Sequence, residues 1–362
     1  MWLIHVGSES RKSEDRIWEH RDFEANWSGA RASGLGEVPG ISSVEAAHVI
    51  AGECVRAPFV PVISSRGPGS DSIGRTAGML SWVTSEFGIE TVPTGWRLAR
   101  ALGRDMARAR GFLSSDLDAL EEQFQGFEGS FTLSLVGPVT WAAEVEGASG
   151  QKLIRDHGAL RELSTALSHV IEQFSADLVR RIPGAAVTIQ VDEPLVMPAT
   201  QGDIPTASAL RTYVALDRQF VASLWNPLFE AAQKLGSGFG VNASQGLRGS
   251  QKLSDPYISL LRAAGATRFF QVEDAHELGD LIESQVETVW TVPARITGAD
   301  AARDIAARIG ALGFNLSDFS PGAILVPSEV NMRGDWLSAR NAWDQVGTAV
   351  DLLNDPDRLD SQ

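Results

Sequence analysis

The stretch "AVTIQVDEPLVMP", Ala186 to Pro198, runs an apolar segment from Val187 to Val191 straight into Asp192 and Glu193, and Pro194 ends it. Adjacent carboxylates at the end of a buried strand suit a site that holds a substrate amine or manages a proton. The competing reading is a strand-end acid paired with an arginine from a neighbouring loop. The pattern alone does not say which of the two acids points inward. A second segment, "VGPVTW" (Val136–Trp141), puts Gly137 and Pro138 at another strand end, where backbone can approach a ligand, with Thr140 adding a hydroxyl. A tight turn into the next helix would read the same way.

Arg66 and Arg75 stand among glycines in "SSRGPGSDSIGRTAG". Guanidinium groups near such turns suit carboxylates or phosphates through paired N–H donors; salt bridges to the chain's own acids are the plainer alternative. The glycines are not followed by the Lys-Ser/Thr of a phosphate-binding loop, and "GLGEVPG" is out of frame for a dinucleotide fingerprint. Ser244 in "NASQG" is not a nucleophile elbow, because Asn242 stands where that motif needs glycine. Of the six histidines only His276 falls near a strand end, and no H-x-x-H pair exists.

These residues need elements to position them. The chain has 362 residues, 43% of them hydrophobic, enough for one large domain or two smaller ones. Candidate strands are Ala32–Val38, Phe59–Ser64, Phe131–Val136, Val187–Val191, Gly238–Val241, Phe269–Val272, Val289–Val292 and Ala323–Val326. Amphipathic stretches lie between them: "SSVEAAHVIAGE" opens on Ser42 or Ser43 as N-cap, and "SSDLDALEEQF" repeats that design at Ser114. Strand–helix alternation of this kind predicts α/β architecture: a single (β/α)8 TIM barrel, with a doubly wound sheet as the alternative. Residues 1–31 read as an N-terminal extension and 32–362 as the barrel. The segments that follow the strands collect Gly, Pro and polar residues, and in a barrel they share the C-terminal face, where ligands bind. Asp192 and Glu193 are expected at that mouth.

Charge narrows the partners. With 31 basic and 46 acidic side chains, the formal net charge is −15, which opposes binding to nucleic acid or an anionic membrane. A small-molecule ligand, amino-acid or folate-like, is the expected partner. The single cysteine, Cys54, makes no intrachain disulfide and no thiolate-rich metal site. No signal-peptide pattern or membrane-length apolar run is present, so a cytoplasmic location is expected.

Taken together, "GLGEVPG", "VGPVTW", "IQVDEP", "RGPGSDSIGRTAG", "PTGWRL" and "VPSEV" resemble, in order and spacing, the C-terminal catalytic barrel of cobalamin-independent methionine synthase, and in particular its short actinobacterial-type single-barrel relatives. The resemblance covers about residues 32–350. It implies methyl transfer from a methyltetrahydrofolate to a thiol such as homocysteine, activated as a zinc thiolate. It also implies that Asp192 is the amine-binding acid, with Glu193 beside it as a catalytic candidate. Glu37, Gly137, Thr140, Trp141, Arg66 and Arg75 are then candidates to line the substrate site. The family's metal ligands, a His-x-Cys pair, a Glu and a late Cys, fall on Asn242 and Ser244, Glu273, and Glu329. Three of the four are changed, so the expectation is a degenerate zinc site holding no zinc, its oxygen donors better suited to Mg²⁺ or Mn²⁺ or to no metal. Glu37 replaces the serine that holds the substrate carboxylate, Val292 lies near the family's proton-donating histidine, and Trp141 is off the spacing of the pterin-stacking tryptophan. Two alternatives follow: a non-catalytic barrel that binds a small metabolite, and a metal-free decarboxylase-type barrel.

Overall fold

The computed structural model describes residues 29–243, 255–328 and 332–360. It is a mixed α/β structure built on parallel sheets. One sheet has the order β1 (Arg31–Ala32), β10 (Ala323–Pro327), β9 (Glu287–Val292), β8 (Arg268–Phe270), and another the order β4 (Glu128–Val136), β6 (Gly184–Asp192), β7 (Gly238–Asn242); every pairing in both is parallel. These strands are rich in Val, Ile, Leu and Phe and buried along most of their length, as parallel strands covered by helices on the outside must be.

Single contacts join the sheets. Parallel bridges pair Glu37 with Val62 and Phe59 with Thr132. Thr267 N donates to Phe239 O at 2.9 Å, and Ser33 N to Leu325 O at 2.9 Å. The expected strands Ala32–Val38 and Phe59–Ser64 are therefore mostly irregular backbone that touches its neighbours at a few points. Gly36, at φ +118°, bends the first, and Ser64 opens a 3-10 turn, Ser64–Arg66, that ends the second. The remaining six expected strands form, with ends moved by a few residues.

Two features differ from the sequence reading. The hairpin β2 (Ile89–Val92) and β3 (Gly95–Leu98), joined to β5 (Val145–Glu146), makes a small separate sheet where no strand was expected. Ser114 is not an N-cap: the helix starts at Arg104 and runs to Gln123, and Ser115 Oγ bonds back to Gly111 O at 3.0 Å within it. Ser42 does cap the helix Ser43–Glu53, accepting from Glu45 N at 3.2 Å. Asp156 likewise caps the long helix His157–Arg181.

The main core joins helices to the outer faces of the strands. A second, small apolar cluster of Leu35, Phe270, Val289, Ile324 and Val326 collects the opposite faces of four strand segments. Arg31, the last residue assigned to the extension, is the first residue of β1 and fully buried. No helix among the described residues is long and apolar enough to cross a membrane.

Candidate functional site

Asp192 is the last residue of β6, in register with Val136 on β4 and Asn242 on β7. Its side chain is almost buried, 6% exposed, and Oδ1 accepts from Gln190 Nε2 at 2.9 Å and Asn242 Nδ2 at 3.1 Å. Gln190 Nε2 also donates to Leu35 O at 3.0 Å. Side chains two apart on a strand share a face, so Gln190 and Asp192 point together toward the first strand segment, on the side lined by the small apolar cluster. The amides fix the carboxylate's orientation without neutralising it.

Glu193 turns the other way. Its carboxylate is fully buried and accepts from Val139 N (3.0 Å), Thr140 N (2.7 Å) and Trp225 Nε1 (3.4 Å). It thus caps the short helix Pro138–Glu144, whose first N–H groups have no partner inside the helix. Burial pushes the Glu193 carboxyl above its usual range, against the pull of those N–H donors. A Cβ at Gly137 would land on the Glu193 carboxylate, which explains the glycine. Thr140 Oγ1 accepts from Leu195 N at 3.1 Å, holding the turn after β6. Trp141 is fully buried, edge-on to Phe87 with ring centroids 6.0 Å apart, and its Nε1 donates to Ile73 O at 3.4 Å. Gly137, Thr140, Trp141 and Glu193 are brought together, as elements of one frame that holds the end of β6 against the end of β4.

The two arginines have separate fates. Arg66 forms a two-pronged, buried pair with Asp116 (Nη1–Oδ1 2.8 Å, Nη2–Oδ2 2.7 Å), bonds Ser43 Oγ at 3.1 Å, and lies 4.5 Å from the Phe112 ring centroid. It is used in packing helices together. Arg75 crosses from the helix Ser72–Val83 to β4, where Nη1 donates to Ser134 O at 2.8 Å. It is 3% exposed, and burial lowers its pKa to about 10 while the fields of Asp116 and Asp192 act to raise it. Glu37 is partly buried, and its Oε2 accepts from Ser64 Oγ at 3.0 Å.

Only two of the four expected metal positions fall among the described residues. Asn242 is buried with its amide on Asp192, Glu273 is exposed beyond β8, and Ser244 and Glu329 lie outside the described residues. Among the described residues no three His, Cys, Asp or Glu side chains are grouped so as to hold a metal ion. Cys54 is buried just past the helix Ser43–Glu53, its thiol pushed far up by burial. His276 is mostly exposed and faces Asp280 at 3.5 Å on its own helix.

Sequence reasoning missed Gln190, Ser134 and Asp116. Gln190 was within reach of it, since residue i−2 from Asp192 shares its face. Asp116 sits in the amphipathic run after Ser114, where nothing local shows its buried pairing with Arg66.

No protein-family model and no curated protein matches the chain. Among solved structures, it is similar to a B12-independent methionine synthase from Shewanella sp. W3-18-1, in complex with selenomethionine, at 10% identity over 93% of this chain and 99% of that one, with a TM-score of 0.44.

Proposed function

We propose that this chain is a methionine-synthase-like (β/α)8 barrel whose strand ends bind a small metabolite through its amine, held by Asp192. Eight parallel segments carry the barrel reading: residues 31–38, 58–63, β4, β6, β7, 267–270, β9 and β10, each linked to the next by a ladder, a bridge or a backbone bond, the last returning to the first. On that reading the small apolar cluster lies inside, and Gln190, Asp192 and Asn242 line the mouth where barrel ligands sit. The single observation that carries the site is the Asp192 carboxylate. It is nearly buried and oriented by two side-chain amides that leave its charge intact, an arrangement suited to an ammonium group.

The activity of the family it resembles would be methyl transfer from a methyltetrahydrofolate to a thiol such as homocysteine. Zinc of that family's kind does not fit the donors here. The chain has one thiol, which is buried at the end of the helix Ser43–Glu53, and the amide of Asn242 is engaged by Asp192. The second reading is a barrel that binds a metabolite without turning it over. It is favoured by Glu193, which is engaged as a helix cap rather than placed to move a substrate proton.

Two measurements on the purified full chain test this. Elemental mass spectrometry after exposure to zinc, manganese and magnesium should find no stoichiometric zinc. Single-turnover assay with methyltetrahydrofolate and homocysteine should then give no methionine, while calorimetry finds amine-bearing metabolites bound and Asp192→Asn weakens them. Stoichiometric zinc with methionine formation would restore the catalytic reading; binding unaffected by Asp192→Asn would remove the amine site.

A further inference from the structure

We propose that the excursion between β6 and the helix Arg218–Lys234 is a self-association surface. Through it two copies of this chain pair about a two-fold axis, each seating an exposed leucine and valine against an open cleft of the other. The proposal does not depend on what the strand ends bind.

The excursion is a formed element. An antiparallel bridge pairs Pro205 with Thr212, and Tyr213 N donates to Ile204 O at 2.8 Å. Thr206 closes the loop from within: its N and its Oγ1 each donate to Arg211 O at 2.9 Å, and its carbonyl accepts from Ala209 N at 2.8 Å. At the base Ile204 is buried, and the Tyr213 hydroxyl accepts from Lys152 N at 2.9 Å and donates to Gln151 Oε1 at 3.1 Å. Ala209 takes φ +56°, a left-handed conformation unfavourable for an L-residue. The bonds on either side impose it, and Leu210 follows at the tip.

Leu210 is 88% exposed and Val214 91%, the two most exposed large apolar side chains among the described residues. A single exposed leucine is ordinary. Here two aliphatic side chains stand four residues apart on a pinned loop, next to an open cleft of about 650 Å³. The cleft is lined by Leu216, Asp217, Arg218 and Gln219 and, from the helix Asp255–Ala264, by Ser259 and Leu260.

Projection and cleft share one stretch of chain, since Leu216 lies two residues past Val214. A patch that carries both halves can meet its own copy isologously, projection to cleft in each direction. Charge points to the same occupant. The chain as a whole stands at −15, so two copies repel over most of their surfaces. Between Pro194 and Phe229, however, the charged residues are Asp203, Arg211, Asp217 and Arg218, which sum to zero. Two acidic copies can approach there. The same stretch has no field to draw a basic partner, which the acidic remainder of the surface would attract instead. Arg211 adjoins Leu210 on the projection and Asp217 lines the cleft, so seating one against the other brings opposite charges together.

Size sets the strength. Of the seventeen residues from Asp203 to Gln219, thirteen are exposed. Even with Ser259 and Leu260 added, this falls short of the roughly 20–30 residues a side of a standard interface. A weak dimer, dissociating in the micromolar range, is expected.

Sedimentation velocity on the full chain over a concentration series tests this. The mass of wild type should rise from one chain to two and stop there. Leu210→Glu and Val214→Glu should each raise the dissociation constant at least about a hundredfold, because a tenfold loss per copy counts twice in a two-fold interface. Both side chains are exposed, so the urea midpoint of each variant should match that of wild type. Raising the salt should tighten the wild-type dimer, since it screens the repulsion between the acidic remainders. Leu337→Glu, at an exposed leucine on another helix, should leave association unchanged. Wild type that stays monomeric at every concentration would overturn the proposal and leave the patch to a different protein. A dimer that ignores both substitutions, or one that Leu337→Glu abolishes, would place the interface elsewhere and overturn it too. Growth beyond two chains would overturn the two-fold pairing.

Discussion

Thr140 N donates to Glu193 Oε2 at 2.7 Å, while the neighbouring acid, Asp192, takes its bonds from Gln190 and Asn242 on the other side of the strand. Two adjacent carboxylates at one strand end thus do different work. Alternation of side chains along β6 sends one into the space between β4 and its following helix and the other toward the strand mouth. Glu193 closes the helix Pro138–Glu144 onto the strand that carries Asp192, so the position of Asp192 depends on Glu193.

Replacing Glu193 by Ala should therefore destabilise the fold. Two buried backbone N–H groups would lose their acceptor, at a cost of about 2–4 kcal/mol in total. Urea unfolding followed by circular dichroism checks this. The pH dependence has a definite sign. Burial raises the folded pKa of Glu193 above its unfolded value, so between those values the folded state holds the extra proton, and stability falls as pH rises. The advantage of wild type over Glu193→Gln should be largest on the acid side and shrink as pH rises through the folded pKa. An advantage that grows with pH would contradict the assignment.

Arg66 and Asp116 join the 3-10 turn Ser64–Arg66 to the helix Arg104–Gln123 by two short bonds, with both side chains nearly buried. Removing one partner leaves the other charge buried and unpaired, which costs about 3–5 kcal/mol. Asp116→Ala should lower the urea midpoint by a corresponding amount. At temperatures where the variant stays folded, ligand affinity at the strand ends should be unchanged. A selective loss of affinity with normal stability would return Arg66 to the binding site.

Much of this frame was legible in the sequence, for physical reasons that differ by residue. Asp192 stood out because a charge at the end of an apolar run has few purpose-free explanations, and its strand formed as read. Glu193 was equally visible, but its role depends on which face it takes, and that is fixed by the register of β6 against β4 rather than by local sequence. Arg66 and Arg75 look alike among their glycines; only the packed helix that carries Asp116 separates them. Ser114 misled because a serine followed by acids is a good N-cap wherever the chain can begin a helix there. Here the chain is already helical from Arg104, so the signal had nothing to start. The hairpin β2–β3 escaped because "IETV" and "GWRL" are four residues each, too short for a period to emerge.

Glu287 lies between Arg31 and Arg268, at 2.9 Å and 2.7 Å. Burial by itself would raise its carboxyl, but the two guanidiniums outweigh it and hold the pKa below the usual range. A carboxylate with a depressed folded pKa contributes stability above its unfolded pKa and loses it as pH falls through the folded one. Glu287→Gln should destabilise the protein by about 3–5 kcal/mol near neutrality, and the gap to wild type should narrow as the medium is acidified below the ordinary carboxylate range. Thermal melts across that range read both effects. A gap independent of pH would mean that Glu287 carries no shifted charge.

Cys54 bears on the metal question most directly. A thiol binds zinc as thiolate, and burial of Cys54 disfavours the charged form strongly. The folded protein should therefore resist a polar disulfide reagent such as Ellman's reagent over many minutes, and release one equivalent at once when the reagent is added in denaturant, since the chain has one cysteine. Adding zinc to the folded protein should change neither rate nor yield. Fast labelling in the native state, or protection that appears only with zinc, would show that the thiol reaches a site where metal can bind. The strand-end donors would then have to be considered together with it. Slow labelling that ignores zinc leaves the strand ends with oxygen and amide donors alone, for which an ammonium group at Asp192 is the better-matched partner.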